Sequence, residues 1–76
     1  MTAGEYLRVL QDRRRANLQR LVAKTESQTE LARQMSIDRP QLSSMLSGRL
    51  SISEFRARKV EQFLGLGFGT LDLELP

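Results

Sequence analysis

The chain has 76 residues, enough for one small domain, and a domain of this size buries only about 60% of its unfolded surface. It contains neither cysteine nor histidine, which excludes disulfides, thiolate zinc sites and the commonest general base. Its 12 basic residues outnumber 9 acidic ones, and two of the acids, Asp72 and Glu74, lie near the C-terminal end. The body of the chain is therefore basic, which fits either a nucleic-acid partner or a well-solvated surface.

The first predicted element is a helix over residues 3–24, a span without proline and without glycine after Gly4. Either one long helix forms, or a short helix over 3–11 leads into a second helix over 12–24. Arg14 interrupts the apolar face, and the run Arg13-Arg14-Arg15 is either a solvated face or a contact to phosphate groups. The apolar face consists of Leu7, Leu10, Leu18, Leu21 and Val22.

Residues 27–48 are predicted to form two short helices joined by a tight turn. Each helix begins with a capping-box pattern, in which a polar cap residue is followed three positions later by Glu or Gln. The two pairs are Ser27 with Glu30, and Asp38 with Gln41. Each helix also has one apolar stripe at helical spacing. The stripes are Leu31, Ala32 and Met35 in the first helix, and Leu42, Met45 and Leu46 in the second.

A further helix is predicted to begin at a third capping box, Ser51 with Glu54. Gly65 is expected to end this helix, at a position where the backbone needs a positive φ. Its buried stripe is expected to consist of Phe55 or Ala57, Val60, Phe63 and Leu64.

The tail, residues 71–75, alternates apolar and acidic side chains, which predicts a short half-buried strand. A single strand is unstable in water. The tail is therefore a frayed end, a contact in which two copies of the chain pair antiparallel, or a strand that pairs with a further domain.

The second helix of residues 27–48 has a polar outer face. Projected at about 100° per residue, its apolar stripe points inward, while Pro40, Ser43, Ser44 and Ser47 fall on the opposite side with Arg39 and Gln41 at the flanks. Serine is a poor helix former, so stability alone does not explain this face. A helix with short polar side chains can approach the base edges in the major groove of DNA.

The pattern resembles the helix-turn-helix of the lambda-repressor/Cro-like (XRE) family. The resemblance rests on Gln28, Leu31-Ala32, Met35, the turn residue Ile37, Leu42, Met45-Leu46 and Gly48, and it continues through residues 55–66 and 69–72. It implies an all-α fold, a compact four- to five-helix bundle with a possible short C-terminal strand. It also implies one DNA-binding domain over 1–76, with an N-terminal extension (1–11), the helix-turn-helix (27–48) and a tail (71–76).

The resemblance assigns two sets of contacts to double-stranded DNA. The base-contacting residues are expected to be Arg39, Pro40, Ser43, Ser44 and Gln41, although Gln41 could instead serve the helix cap. Arg39 is the strongest candidate, because an arginine can bind guanine O6 and N7 in bidentate fashion. The phosphate-contacting residues are expected to be Gln28 and Thr29 at the start of the first motif helix, and Ser47 and Arg49 after the second.

Three residues depart from the family pattern. Ser36 stands where glycine is usual, at a turn position with positive φ, which costs a non-glycine residue about 1 kcal/mol. Ser47 replaces the usual asparagine, which weakens a polar contact. Thr70 replaces the usual tryptophan, which leaves the packing after Gly65 open.

The resemblance implies a sequence-specific transcriptional regulator, a repressor of phage, mobile-element or toxin–antitoxin type, that binds a palindromic operator as a homodimer. The alternatives are the N-terminal DNA-binding part of a longer repressor, or a protein-interaction adaptor with the same fold. An enzyme is not expected, since no serine has a histidine partner and no metal-ligand cluster or phosphate loop occurs. No cofactor, metal or small-molecule ligand is expected either.

No apolar run approaches the roughly 20 residues of a membrane span, and the N-terminus lacks the apolar core of a signal peptide. The protein is therefore expected in the cytoplasm, and its gene is expected to belong to a bacterium or phage.

Overall fold

The computed structural model describes residues 1–74, and all the regular secondary structure within them is helical. Its elements are α1 (Ala3–Ala23), α2 (Gln28–Gln34), α3 (Arg39–Ser47), α4 (Glu54–Phe63) and a C-terminal 3-10 helix (Thr70–Asp72). The predicted all-α class is confirmed, and α1 forms as one long helix rather than as two. No helix in this described part is both long and apolar enough to cross a membrane.

The core of the fold is aliphatic and draws on every element. α1 packs against α3 and the 3-10 helix, α2 packs against α3, and α4 packs against the 3-10 helix. The apolar stripes predicted for α2 and α3 point inward as expected, with Leu46 half-buried at the edge. The buried apolar side chains are Leu18, Leu31, Ala32, Met35, Leu42, Met45, Ile52, Ala57, Val60 and Leu71.

The caps predicted for α2 and α3 both form. Ser27 Oγ accepts the backbone N–H of Glu30 at 3.2 Å, and Asp38 Oδ1 accepts the backbone N–H of Gln41 at 2.8 Å. Each bond satisfies an N–H that the first turn of a helix otherwise leaves without a partner. The Glu30 side chain does not close the box, because it binds Arg33 on the next turn at 2.6 Å.

The turn between α2 and α3 places Ser36 at a φ of 58°, as its sequence position indicates. The backbone N–H of Ser36 binds the carbonyl of Arg33, and that of Ile37 binds the carbonyl of Ala32. These two bonds form the motif that commonly ends a helix with a left-handed residue. Ile37 packs, half-buried, against the core.

The predicted start of α4 is wrong by two residues. Ser53, not Ser51, caps the helix, and its Oγ accepts the backbone N–H of Arg56 at 3.2 Å. The physical reason lies in α1, where the Gln11 side chain donates to the Ile52 carbonyl and accepts from the Ile52 N–H, both at 2.8 Å. Because Ile52 is held in this way and buried, the segment before Ser53 stays non-helical.

The predicted buried stripe of α4 is only partly correct. Ala57 and Val60 are buried and Leu64 is half-buried, but Phe55 and Phe63 are exposed. α4 ends as predicted, with Gly65 at a φ of 70° and the N–H of Leu66 bound to the carbonyl of Glu61 at 2.8 Å. The two phenylalanines therefore form part of the surface.

Arg14 breaks the apolar face of α1 because it is the centre of a buried ion cluster. Its Nε donates to Asp72 Oδ1 at 2.6 Å, its Nη2 to Glu54 Oε2 at 2.8 Å and its Nη1 to the Ile52 carbonyl at 2.9 Å. Arg58 Nη2 lies 2.9 Å from Asp72 Oδ2, an ion-pair distance at which its N–H is not aligned for a hydrogen bond.

The cluster shifts the pKa values of Arg14 and Asp72. The hydrogen bond to Asp72 raises the pKa of Arg14 despite its burial. Burial favours the neutral form of Asp72 and raises its pKa. Two effects outweigh this: the hydrogen bonds that Arg14 donates to Asp72, and the positive charge of the Arg58 guanidinium beside it. The net result is a pKa of Asp72 below its ordinary value, so both partners are charged at neutral pH.

The strand predicted from residue 71 does not form in the described residues, where Thr70–Asp72 are a 3-10 helix and Leu71 is fully buried. Polar side chains hold this turn. The buried Glu61 carboxylate accepts the N–H groups of Gly69 and Leu71 at 3.0 and 2.8 Å. Asn17 Nδ2 donates to the carbonyls of Leu71 and Leu73. The absence of tryptophan at position 70 is thus offset by hydrogen bonds, while Leu75 and Pro76 lie outside the described residues.

Candidate DNA-binding surface

The outer side of α3 presents most of the predicted base-contacting residues to solvent. Arg39, Pro40 and Ser43 are exposed, whereas Leu42 and Met45 are buried. Pro40 fits the first turn of the helix, where a backbone N–H would have no partner within the helix. The exposed side of α3 therefore consists of short side chains with one arginine at its start.

Two of the predicted base-contacting residues are less accessible. Ser44 is half-buried, and its carbonyl accepts the N–H of Leu50 at 3.1 Å, which folds the following loop back onto α3. Gln41 is also half-buried, and it lines a cavity between α3 and α4. Its backbone N–H is the group that Asp38 caps. Arg39, Pro40 and Ser43 are thus the most accessible of the five predicted base-contacting residues.

The loop after α3 turns at Gly48, which has a φ of 85°. This positive φ favours glycine; a β-carbon here would also lie 2.5 Å from Arg15 Nη1, so the end of that flexible side chain would have to shift. Ser47 Oγ donates to the Ser44 carbonyl at 3.2 Å, so its proton is already in use. Arg49 is exposed beside it, which makes Arg49 the stronger of the two predicted phosphate ligands.

The predicted phosphate ligands of α2 lie at its N-terminal end. Gln28 and Thr29 follow the Ser27 cap, and both side chains are exposed. Because α2 packs directly against α3, the two helices are held as one unit.

The arginines of the chain divide into paired and available ones. Within residues 1–74, neither Arg39 nor Arg49 makes an ion pair, so both charges can meet an external anion. Arg33 differs, because the Glu30 carboxylate binds it and raises its pKa.

Within the run Arg13-Arg14-Arg15 only Arg14 is buried, while Arg13 and Arg15 are half-exposed. Arg14 is only 3% exposed, so the idea that it contacts phosphate is wrong. Arg13 approaches Glu74 at 3.5 Å, and Arg15 binds Asp12 at 3.0 Å beside the Gly48 turn. Of the three, only Arg15 lies beside the loop that follows α3, and each of the three makes an ion pair within the chain.

A family model described as Helix-turn-helix matches residues 18–71, which is more than half of the chain. The chain belongs to the helix-turn-helix family. This is the family of XRE and lambda-repressor-like regulators, so the resemblance drawn from the sequence is confirmed, and the protein is a DNA-binding helix-turn-helix regulator. Neither the curated proteins nor the solved structures contain a match to this chain.

Three residues that position the helix-turn-helix were missed by the sequence reasoning. Gln11, Arg15 and Gln19 of α1 face the C-terminal end of α3 and the loop after it. Gln19 Nε2 donates to the Leu46 carbonyl at 3.0 Å, Arg15 lies against Gly48, and Gln11 holds Ile52. Their spacing of four residues is a signal in itself, because it places all three on one helix face.

Proposed function

We propose that this helix-turn-helix regulator is a sequence-specific repressor that binds a palindromic operator as a homodimer, with α3 in the major groove. The observation that carries the proposal is Arg39, exposed and without an ion-pair partner in the described part of the chain, at the start of a helix whose other outward residues are short. A repressor of this kind acts sterically, because the bound dimer covers promoter DNA that the polymerase needs.

In this proposal the base edges are read mainly by Arg39, with Pro40 and Ser43 beside it. A bidentate arginine–guanine contact contributes about 1–3 kcal/mol of discrimination, which is roughly 5- to 160-fold in affinity. Pro40 has no donor and can offer only an apolar contact, for example to a thymine methyl group. Ser44 and Gln41 contribute once the duplex is close enough to reach their half-buried side chains.

The phosphates on either side of the groove are proposed to meet two groups of residues. Gln28 and Thr29 serve one side, and Arg49 with Ser47 serves the other. Such contacts position the protein without reading sequence. In a homodimer, the two copies of α3 would lie about 34 Å apart, one helical turn of the duplex.

The test of the proposal is a selection of duplexes from a random pool by the full chain. We expect the enriched sequences to share a two-fold symmetric motif whose half-sites contain a guanine and are separated by about one helical turn. Enrichment of no motif at all, with uniform binding to every duplex, would remove sequence-specific repression.

The role of Arg39 is tested by Arg39→Ala, with Arg49→Ala as the comparison and Arg8→Ala, an exposed arginine of the first turns of α1, as the control. Arg39→Ala is expected to weaken binding to the selected duplex far more than binding to a scrambled one. Arg49→Ala should weaken both equally and lower the salt dependence by about one phosphate contact. Equal losses for Arg39→Ala on both duplexes would place Arg39 at the phosphates instead.

A further inference from the structure

All three phenylalanines of the chain are on its surface. Phe55 is 71% exposed, Phe63 45% and Phe68 85%, whereas the apolar core formed by the described residues holds only aliphatic side chains and methionines. Aromatic side chains contribute most when they are buried, and they are enriched where proteins meet partners. Two of the three, Phe55 and Phe63, lie on α4 and on one surface of it. This points to a contact with another molecule.

That surface is the outer side of α4, formed by Phe55, Arg56, Lys59 and Phe63, and it is called here the aromatic–basic face. Phe55, Lys59 and Phe63 are four residues apart, so they lie in one row. Lys59 Nζ lies 5.6 Å from the centre of the Phe55 ring and 5.8 Å from that of Phe63. The row is thus a cation held between two aromatic rings.

A cavity of about 260 Å³ continues this face toward the helix-turn-helix. Phe55, Arg56 and Lys59 form its α4 side, and Ile37 and Gln41 form the opposite side. Met35, Met45 and Val60 also line it, and all three are otherwise buried. Its volume lies just below the roughly 300–1,000 Å³ of most small-molecule sites, and it suits one or two apolar side chains.

The charge of this region is positive throughout. Arg56 and Lys59 are the charged residues of the cavity wall, and no carboxylate of residues 1–74 lines it. Both acids of α4 turn elsewhere: Glu54 binds Arg14 at 2.8 Å, and the buried Glu61 accepts two backbone N–H groups of the tail. The aromatic–basic face therefore combines apolar surface with two cations that no acid of α4 neutralises.

We propose that the aromatic–basic face binds an acidic polypeptide segment of a partner protein. A large apolar side chain of the segment fills the cavity, and neighbouring aspartates or glutamates bind Arg56 and Lys59. A small anion could bind Arg56 and Lys59 but would leave the Phe63 ring exposed to solvent, so it does not account for the whole face. A second copy of this chain fits poorly, because a two-fold axis at the centre of the row would bring two Lys59 side chains together. Since Ile37 and Gln41 line the cavity, the bound segment touches the turn that orients α3.

The proposal is tested by selecting binders to the full chain from a displayed library of random 12-residue peptides. The enriched peptides are expected to carry a net negative charge and at least one large apolar residue. The best of them is then synthesised with a fluorescent label, and its affinity is measured by anisotropy. Phe55→Ala and Lys59→Glu are each expected to weaken this binding at least tenfold.

Two matched variants separate this face from general effects. Phe68→Ala removes an exposed phenylalanine that stacks on Arg58 away from the cavity, and Lys24→Glu makes the same charge change at the end of α1. Both are expected to bind the peptide within twofold of the unchanged protein. Phe55, Phe68 and Lys24 are exposed and Lys59 is half-buried, so thermal unfolding of each variant checks that the fold is intact.

Four results would overturn the proposal. The first is a selection without acidic enrichment, and the second is an equal loss in the Lys24→Glu control. The third is self-association of the unchanged protein in sedimentation velocity that Phe55→Ala abolishes, which assigns the face to a second copy. The fourth is a loss of duplex binding in Lys59→Glu as large as in Arg49→Ala, which would show that the aromatic–basic face binds DNA. Because the peptide assay contains no DNA, it succeeds or fails independently of the proposed operator binding.

Discussion

Arg14→Met tests whether the buried ion cluster holds the two ends of the domain together. Methionine keeps an unbranched apolar stem in α1 but removes the guanidinium. It therefore removes two hydrogen bonds to Asp72, one to Glu54 and one to the Ile52 carbonyl. Removing one partner of a buried ion pair costs about 3–5 kcal/mol, because the remaining charge is left without compensation.

The structure places Arg14→Met at the lower end of that range. Arg58 remains 2.9 Å from Asp72, and the Glu54 side chain is exposed enough to be hydrated. We therefore expect the free energy of unfolding to fall by about 3 kcal/mol. For a domain of this length, that corresponds to a fall in melting temperature of roughly 12–24 °C.

The assay is thermal and urea unfolding at pH 7, followed by far-ultraviolet circular dichroism. Arg13→Met is the control, because Arg13 is the neighbouring arginine and makes only a long, exposed contact to Glu74 at 3.5 Å. That variant is expected to stay within about 0.5 kcal/mol of the unchanged protein. If Arg14→Met loses no more stability than Arg13→Met, the cluster does not hold the fold and the argument fails.

Three smaller predictions use the same measurements. Ser36→Gly should raise the free energy of unfolding by up to about 1 kcal/mol, since glycine adopts a φ of 58° without the cost to a side chain; a lower melting temperature would show that serine offsets its own strain. Gly48→Ala should lower the free energy of unfolding by about 1–2 kcal/mol, because alanine is strained in the left-handed backbone and its β-carbon approaches Arg15. An unchanged melting temperature would contradict this. The pKa of Asp72 is lower in the folded protein than in the unfolded chain. Its contribution to stability is therefore present above the unfolded pKa of about 3.9 and is lost as pH falls through the folded pKa. Asp72→Asn should be less stable than the unchanged protein at pH 7 and should lose less stability between pH 5 and 2; parallel curves of stability against pH would rule this out.

The parts of the fold that the sequence predicts well depend on neighbouring residues. The caps at Ser27 and Asp38 and the left-handed Ser36 each involve atoms within three or four positions along the chain. Such contacts leave a readable pattern. The outward placement of Arg39 was equally predictable, because it follows from the apolar stripe on the other side of α3. Whether Arg39 touches a base stays a prediction.

The parts that the sequence did not predict depend on distant residues. The Ser51–Glu54 pair matches a capping box, but Gln11 holds Ile52 and Arg14 attracts Glu54. Nothing in the local pattern indicates these contacts, which come from residues about 40 positions earlier. The alternating tail was misread for the same reason, because a buried glutamate and an asparagine supply its hydrogen bonds.

The exposed phenylalanines were misplaced for a different reason. Projected at about 100° per residue, Ala57, Val60 and Leu64 fall within roughly 60° of one another, while Phe55 lies on the far side of α4. Hydrophobicity, rather than angle, places Phe55 in the predicted core, and a strict projection identifies it as a surface residue from the sequence alone. Phe63 projects only about 60° from Val60, at the edge of the stripe, so its exposure does not follow from the projection.

The hydrogen bonds between α1 and the tail also bear on the synthesis of this protein. Arg14 and Asn17 find their partners at residues 71–73, more than 50 positions later in the chain. A nascent chain emerges from the ribosome N-terminus first, so α1 leaves the exit tunnel long before those partners. We therefore expect the helix-turn-helix to be able to bind DNA only after translation has passed residues 71–73.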